Sequence, residues 1–289
     1  MSNKIAGVTV LFYPTDNVIE NIKSYIGTLG CLYVIDNSDE PNLDLLDYFD
    51  NDKVKYLHKG ENLGISKALN LALKQAESDG YNWLLTMDQD TFFPDSSFKK
   101  YVECFSFISE KNKNIVLYSP LHNRLQIKNK NSSDCKYSLN EIFMTSANLV
   151  NVNLINKLGG FNDDLFIDEV DHELCLRVMK NGYNTLLFNS IYVNHTLGVE
   201  KKIKNRYIVR LYPASRIYYM VRNFLYIKKR YKKTFKKFIF KREVFYIKFI
   251  FKNLIFSKEK LMIISMLFKA FWDAYNNKYG KRVEIWKKS

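Results

Sequence analysis

The chain has little cysteine, and what it has is not arranged for chemistry. Cys31, Cys104, Cys135 and Cys175 lie far apart, with no C-x-x-C pair and no His-Cys cluster. That spacing predicts neither a zinc site nor a disulfide framework, and reduced thiols in the cytosol are the simplest expectation. Long hydrophobic runs are also missing. The nearest approach, Leu261 to Trp272, is interrupted by Lys269 and falls short of the roughly 18 apolar residues that suggest a bilayer span. Met1-Ser2-Asn3-Lys4 runs directly into an apolar strand, so no secretory leader is expected. No G-x-G-x-x-G and no G-x-x-x-x-G-K-[ST] occurs, which argues against a dinucleotide oxidoreductase and a P-loop NTPase.

With 289 residues, 47% of them hydrophobic, the chain can bury a large core. Its charge is divided unevenly. Residues 199–289 hold 26 Lys and Arg against 5 acids, a surplus of +21, whereas residues 1–198 hold 18 against 25. An acidic body with a basic tail suggests that the tail meets a polyanion. The tail is rich in aromatics, and Phe235, Phe238, Ile239, Phe245, Tyr246 and Phe249 fit one helical face among many lysines. Basic, aromatic and amphipathic together favour an anionic membrane surface. A helix packed on the body with its lysines solvated explains the same pattern equally well. Nucleic acid is not expected as a partner, because the first part is acidic.

The first half alternates strands and helices in the rhythm of a parallel sheet. Strands are expected at Ala6–Tyr13, Leu32–Ile35, Lys53–Leu57, residues 82–87, Ile115–Tyr118 and Phe143–Val150. Ile65, Ala68, Leu69, Ala72, Leu73 and Ala76 make a well-formed helix stripe, and another helix is expected near Asp95–Ser109. A polar loop falls near residues 128–136. From Pro213 onward the strong signals are helical, which divides the chain into residues 1–212 and a basic helical region, 213–289.

Asp88-Gln89-Asp90 follows the apolar run Trp83-Leu84-Leu85-Thr86-Met87, so two carboxylates are delivered by the end of a buried strand. Open α/β sheets bind ligands beyond such strand ends. Two anions side by side need compensation, and a hard divalent ion carried with a nucleotide diphosphate supplies it. Taken alone, a D-x-D turn is as well explained by two solvated acids. The second acidic segment is Phe166-Ile167-Asp168-Glu169-Val170-Asp171. Asp168 and Asp171, three apart, share a face if a helix begins there. They read either as cap and first-turn acids or as a general base at the mouth of a cleft. Asp36-Asn37-Ser38 is good turn chemistry, and a strand-end Asp36 also suits a pyrimidine imide N–H, with Tyr13 stacked on the base.

An ordered series of short motifs carries a family resemblance. It comprises Val10 to Pro14, Asp36-Asn37, Glu61-Asn62-Leu63-Gly64-Ile65, Ala68-Leu69-Asn70, Asp88-Gln89-Asp90, Gly159-Gly160-Phe161, Phe166 to Asp171, and Cys175-Leu176-Arg177. Asn194-His195, Leu197-Gly198, Tyr218-Tyr219 and Arg222-Asn223 complete it. Together these resemble the family 2 inverting glycosyltransferases of the GT-A fold, and the D-Q-D with F-I-D-x-V-D combination resembles their bacterial rhamnosyltransferase branch. The resemblance implies a Rossmann-like, mostly parallel α/β sheet. It implies Tyr13, Pro14, Asp36, Asn62 and Asp88 as donor-nucleotide contacts, and Asp90 and His195 as ligands of Mg²⁺ or Mn²⁺. Asp171 corresponds to the catalytic base, although the Glu that usually precedes it is Val170. Asp168, Arg222 and Asn223 correspond to diphosphate or acceptor contacts.

The expected donor is dTDP-β-L-rhamnose, with UDP-galactose or another hexose donor as the alternative. The expected acceptor is a lipid-linked oligosaccharide for O-antigen or capsule, met at the cytoplasmic face of a bacterial membrane. A nucleotidyltransferase would share the sheet and metal-bound acids but needs a Gly-rich basic loop where Tyr13-Pro14-Thr15-Asp16-Asn17 stands. A non-enzymatic basic adaptor leaves the acids unexplained.

Overall fold

The computed structural model describes residues 4–50, 52–122, 134–195, 200–203 and 207–286. Leu197, Gly198 and most of the polar loop near 128–136 lie outside them. The body is built from β1 (Ile5–Leu11), α1 (Asn17–Ile26), β2 (Cys31–Asp36), β3 (Val54–His58), α2 (Gly64–Ser78) and β4 (Trp83–Asp88). It continues through β5 (Thr91–Phe92), α3 (Ser97–Lys111), β6 (Ile115–His122), β7 (Tyr137–Leu139), β8 (Asn148–Asn151), α4 (Val152–Lys157), α5 (Val170–Lys180) and β9 (Asn184–His195). A two-stranded ribbon, β10 (Glu200–Ile203) with β11 (Tyr207–Arg210), precedes the helices α6 (Ala214–Tyr231), α7 (Lys236–Phe256), α8 (Lys260–Tyr275) and α9 (Val283–Trp286).

The main sheet runs in the order β3-β2-β1-β4-β8-β6-β9-β5, with β7 also on β9. The first four strands are parallel, and β8 is antiparallel to both of its neighbours. Side chains alternate between two cores. Ala6, Val8 and Val10 of β1 and Tyr33 and Ile35 of β2 join α2 on one face, while Leu11, Leu32 and Val34 join α1 and α3 on the other. Burial on both faces explains why these strands read as unbroken apolar runs. The expected strand over Phe143–Val150 forms only at its end. Ala147 takes a left-handed φ of 63°, and Thr86 Oγ1 donates to Thr145 O, so residues 143–147 turn beneath the cleft instead of extending.

One sequence expectation is corrected, and one left open is resolved. Cys104 on α3 and Cys135 before β7 form a disulfide, with Cα atoms 5.5 Å apart, and Cys31 and Cys175 are the buried free thiols. The fold brings together two cysteines that stand 31 positions apart in sequence, which spacing alone does not reveal. The aromatic stripe of the tail turns inward. Ile239, Tyr246 and Phe249 are buried, Phe224 stacks on Tyr246, and only Phe245 is substantially exposed. α6 is buried nearly all round and shares cores with the sheet and with α7 and α8, so the basic helices are integral to the molecule. Among the described residues, no helix is long and apolar enough to cross a membrane.

Candidate active site

The strand order places β2 and β3 on one side of β1 and β4 on the other, so the chain's winding reverses between β1 and β4. A crevice opens at the carboxyl ends of strands at such a point. Here it is a cavity of about 430 Å³, lined by Val10, Phe12, Asp88 and Asp90 from the sheet side and by Asp168, Asp171, Arg216 and Arg242 from the helical side. Asn62, Gly64 and Ile65 at the start of α2 also face it. Gly64 has φ +77°, and a Cβ there would lie 2.4 Å from Phe166 O. Only glycine lets α2 approach the acidic turn this closely.

Asp88 ends β4, and β5 follows at once. β5 pairs antiparallel with the end of β9, Thr91 opposite His195, which carries a histidine more than a hundred residues away onto the D-x-D turn. His195 Nε2 lies 3.2 Å from Asp90 Oδ1 and 3.8 Å from Asp88 Oδ2. One ligand atom from each of the three fits within 4.8 Å of the others, so they could hold a divalent cation. The donor set suits the ion chemically: two carboxylates for a hard cation and one imidazole that Mn²⁺ tolerates well, with room left for other ligands. Among the described residues, His195 Nδ1 is buried without a hydrogen-bond partner, so none of them fixes which nitrogen carries the proton.

Burial pushes the Asp88 carboxyl up to about 6, and Asp90 and Asp171 push the same way against His195. Its side chain keeps 37% exposure toward the open cavity. Burial opposes charging of His195, yet the hydrogen bond to Asp90 and the charges of Asp88 and Asp90 outweigh it and raise its pKa. The cluster therefore carries excess negative field that a cation would relieve.

The opposite wall is a strained turn. Asp168 and Glu169 both adopt left-handed φ, 62° and 64°, just before α5. Such non-glycine conformations persist only where surroundings over-determine them. Asn223 Nδ2 donates to Ile167 O (2.7 Å) and Asp168 O (3.1 Å). Arg216 grips the Asp168 carboxylate at 3.1 and 3.3 Å. Glu169 is buried and accepts from Tyr246 Oη (2.6 Å) and Arg242 on α7 and pairs with His172 Nδ1 (2.9 Å). Burial works against its charge, but these partners hold it down at about 2. The outcome is Asp171 on the first turn of α5, facing the cavity, with its Oδ1 accepting from the His172 N–H (2.8 Å) and lying 3.6 Å from His172 Nδ1.

The motif residues behind this wall are scaffolding. Arg177 donates to Leu158 O and Gly160 O (2.6 Å each) and pairs with Glu173, while Asn70 clasps both backbone groups of Phe161.

The structure gathers Asn62, Asp88, Asp90, His195, Asp168 and Asp171 around one cavity and leaves other expected residues out. Asp36 is 1% exposed, and its carboxylate accepts from Ser38 N, Asn42 N, Asn42 Nδ2 and Tyr56 Oη. It shapes the loop that presents Asn37 to the cavity. Tyr13 sits exposed on the rim, its hydroxyl on Asp39, with Pro14 beside it, and Phe12 lines the cavity instead. Arg222 and Asn223 are fully buried, which corrects their reading as phosphate or acceptor contacts. The Arg222 fork is committed to Asn223 Oδ1, Gly280 O and Tyr218 Oη. Arg216, Arg242, Tyr246 and Gln89 are not marked as site residues by the sequence, because packing of α6 and α7 on the turn, and a side chain between two acids, leave no local signal for it.

Crevice, acid cluster and opposed carboxylate thus form one candidate site at the carboxyl ends of the sheet. Residues 16–155 match the model of glycosyl transferase family 2. The chain is 28% identical over 255 residues to dTDP-rhamnosyl transferase RfbF of Shigella flexneri, covering 80% of this chain and 82% of that protein. Among solved structures, GalNAc-T7 with UDP, GalNAc and Mn²⁺ superposes with a TM-score of 0.61 at 11% identity, over 95% of this chain and 58% of that one. S. aureus TarS 1-349 in complex with UDP-GlcNAc superposes with a TM-score of 0.53 at 14% identity, over 94% and 81%. Those two likenesses establish the fold.

Proposed function

We propose that the protein transfers L-rhamnose from dTDP-β-L-rhamnose, with inversion, to a hydroxyl of a lipid-linked oligosaccharide destined for O-antigen or capsule. The lipid-linked acceptor places the work at the inner face of a bacterial membrane. The carrying observation is the single cavity with Asp88, Asp90 and His195 on one side and Asp171 on the other. Similarity to a dTDP-rhamnosyl transferase across four-fifths of both chains supports the donor.

In this reading the nucleoside lies against Phe12, Asn37 and Asn62, and Asp36 acts by holding the loop that carries Asn37. Asp88, Asp90 and His195 would hold Mg²⁺ or Mn²⁺, which would supply Lewis-acid stabilisation of the departing diphosphate. Arg216 offers the nearby fixed cation. Asp171 accepts the proton of the acceptor hydroxyl as its oxygen bonds to the anomeric carbon. The bond to the diphosphate breaks and its electron pair leaves with the phosphate oxygen. One displacement suffices, and no second nucleophile is needed.

The test is transfer and hydrolysis across a panel of dTDP-rhamnose, UDP-galactose and other hexose donors, with Mg²⁺, Mn²⁺ or excess chelator. dTDP-rhamnose should be the preferred donor and chelator should stop turnover. Preference for another donor overturns the rhamnosyl assignment, and full activity in chelator overturns the metal site.

A further inference from the structure

α7 and α8 each bury one face and expose another that is just as apolar. On α7, Phe240, Ile247, Phe251 and Ile255 recur at helical spacing on the side away from buried Ile239, Tyr246 and Phe249. On α8, Leu261, Phe268, Trp272 and Tyr275 do the same opposite Ile263, Met266 and Ala270. These eight side chains are between 56% and 84% exposed. The two helices are joined by only Ser257–Glu259, pack on each other and both pack on α6. Large apolar side chains exposed in two neighbouring helical rows mark an interaction surface.

The charge around these rows identifies the occupant. Residues 232–275 hold eleven Lys and Arg against three acids. Two of the acids are spent internally: Glu243 pairs with Lys228, and Asp273 is buried against Tyr218. Lys236, Lys237, Lys241, Lys248, Lys258 and Lys260 are exposed. A second copy of the chain would oppose these lysines to themselves, whereas anionic headgroups neutralise them while the rings enter the acyl boundary.

We infer that the outward faces of α7 and α8 form one docking surface for an anionic phospholipid bilayer, seated in the interface plane. This is a different face of α7 from the inward stripe. It deepens the reading of a lipid-linked acceptor, on which its purpose rests but not its test. The inner side of α7 contributes Arg242, Phe245 and Tyr246 to the catalytic cavity. Bilayer and cavity therefore lie on different sides of one helix, about 10–12 Å across with its side chains.

The experiment is co-sedimentation of the full chain with vesicles of phosphatidylcholine alone or with phosphatidylglycerol, at low and high salt, alongside sedimentation velocity without lipid. The wild type should bind phosphatidylglycerol vesicles, release with salt, and shift Trp272 emission to the blue. The exposed-face variant Phe251→Glu/Phe268→Glu should bind about tenfold or more weakly while keeping its melting temperature and its donor hydrolysis. Wild type that stays in the supernatant at low salt overturns the inference, as does a variant that binds equally well. A concentration-dependent dimer abolished by the same substitutions would assign the surface to a second copy. Since hydrolysis of the donor is read without lipid, failure of docking leaves the catalytic reading standing, and loss of hydrolysis in the wild type leaves docking standing.

Discussion

Asp90 has little structural work to do, since its side chain is 43% exposed and faces the cavity beside His195. Asp90→Ala should abolish metal-dependent transfer while the melting temperature stays within a degree or two of wild type, an exposed substitution being worth about 0.5 kcal/mol or less. Activity retained in that variant would remove Asp90 from the metal site. The two arginines of α6 should behave oppositely. Arg216→Ala should lower turnover in a folded protein, because its guanidinium faces the cavity and Asp168. Arg222→Ala strips hydrogen bonds from Asn223 and Gly280 in a fully buried place and should cost about 3 kcal/mol of stability. Thermal denaturation and initial rates on both variants decide this. A stable, inactive Arg222→Ala would return that residue to the chemistry.

At the scale of elements, the left-handed turn before α5 and its clamp from α7 should carry a pH signature. Glu169 sits at about 2 in the fold against an ordinary 4.5, so the stability it contributes is complete above 4.5 and is lost as pH falls toward 2. His172 works in the other direction. Burial opposes its charge, but Asp171 and Glu169 raise its pKa above 6.5, so its contribution is complete below 6.5 and fades as pH rises through the raised value. Urea unfolding of the wild type should therefore lose about 2 kcal/mol between pH 5 and pH 2.5 beyond the loss in Glu169→Gln, which starts weaker at neutral pH. Parallel acid limbs for the two proteins would show that the Glu169 clamp does not support the fold.

Across the whole molecule, the parallel half of the sheet, α2 and the D-x-D strand end were legible because each is written in consecutive residues: apolar runs closed by polar turns, and one clear helical period. The site was legible only in its acids. His195 reaches Asp90 through the pairing of β5 with β9, and Arg242 and Tyr246 reach Glu169 across more than 70 positions, so neither leaves a local pattern. Asp36, Arg222 and Asn223 were recognised as special residues, but their partners are backbone and neighbours, which a motif does not distinguish from a ligand. The tail stayed open between two readings for a different reason. α7 is apolar on two faces, and periodicity finds a face without saying whether protein or lipid covers it.

The central claim is that Asp171 takes the acceptor's proton across a cavity whose other wall holds the diphosphate. Asp171→Asn keeps the shape and the His172 N–H contact while removing the proton acceptor. The most direct measurement is single-turnover transfer from dTDP-β-L-rhamnose by this variant and by Asp168→Asn, with donor affinity measured separately. The account predicts a rate lowered about 100-fold or more in Asp171→Asn with donor affinity nearly unchanged. Wild-type rates in Asp171→Asn together with an inactive but folded Asp168→Asn would contradict it and move the base to Asp168.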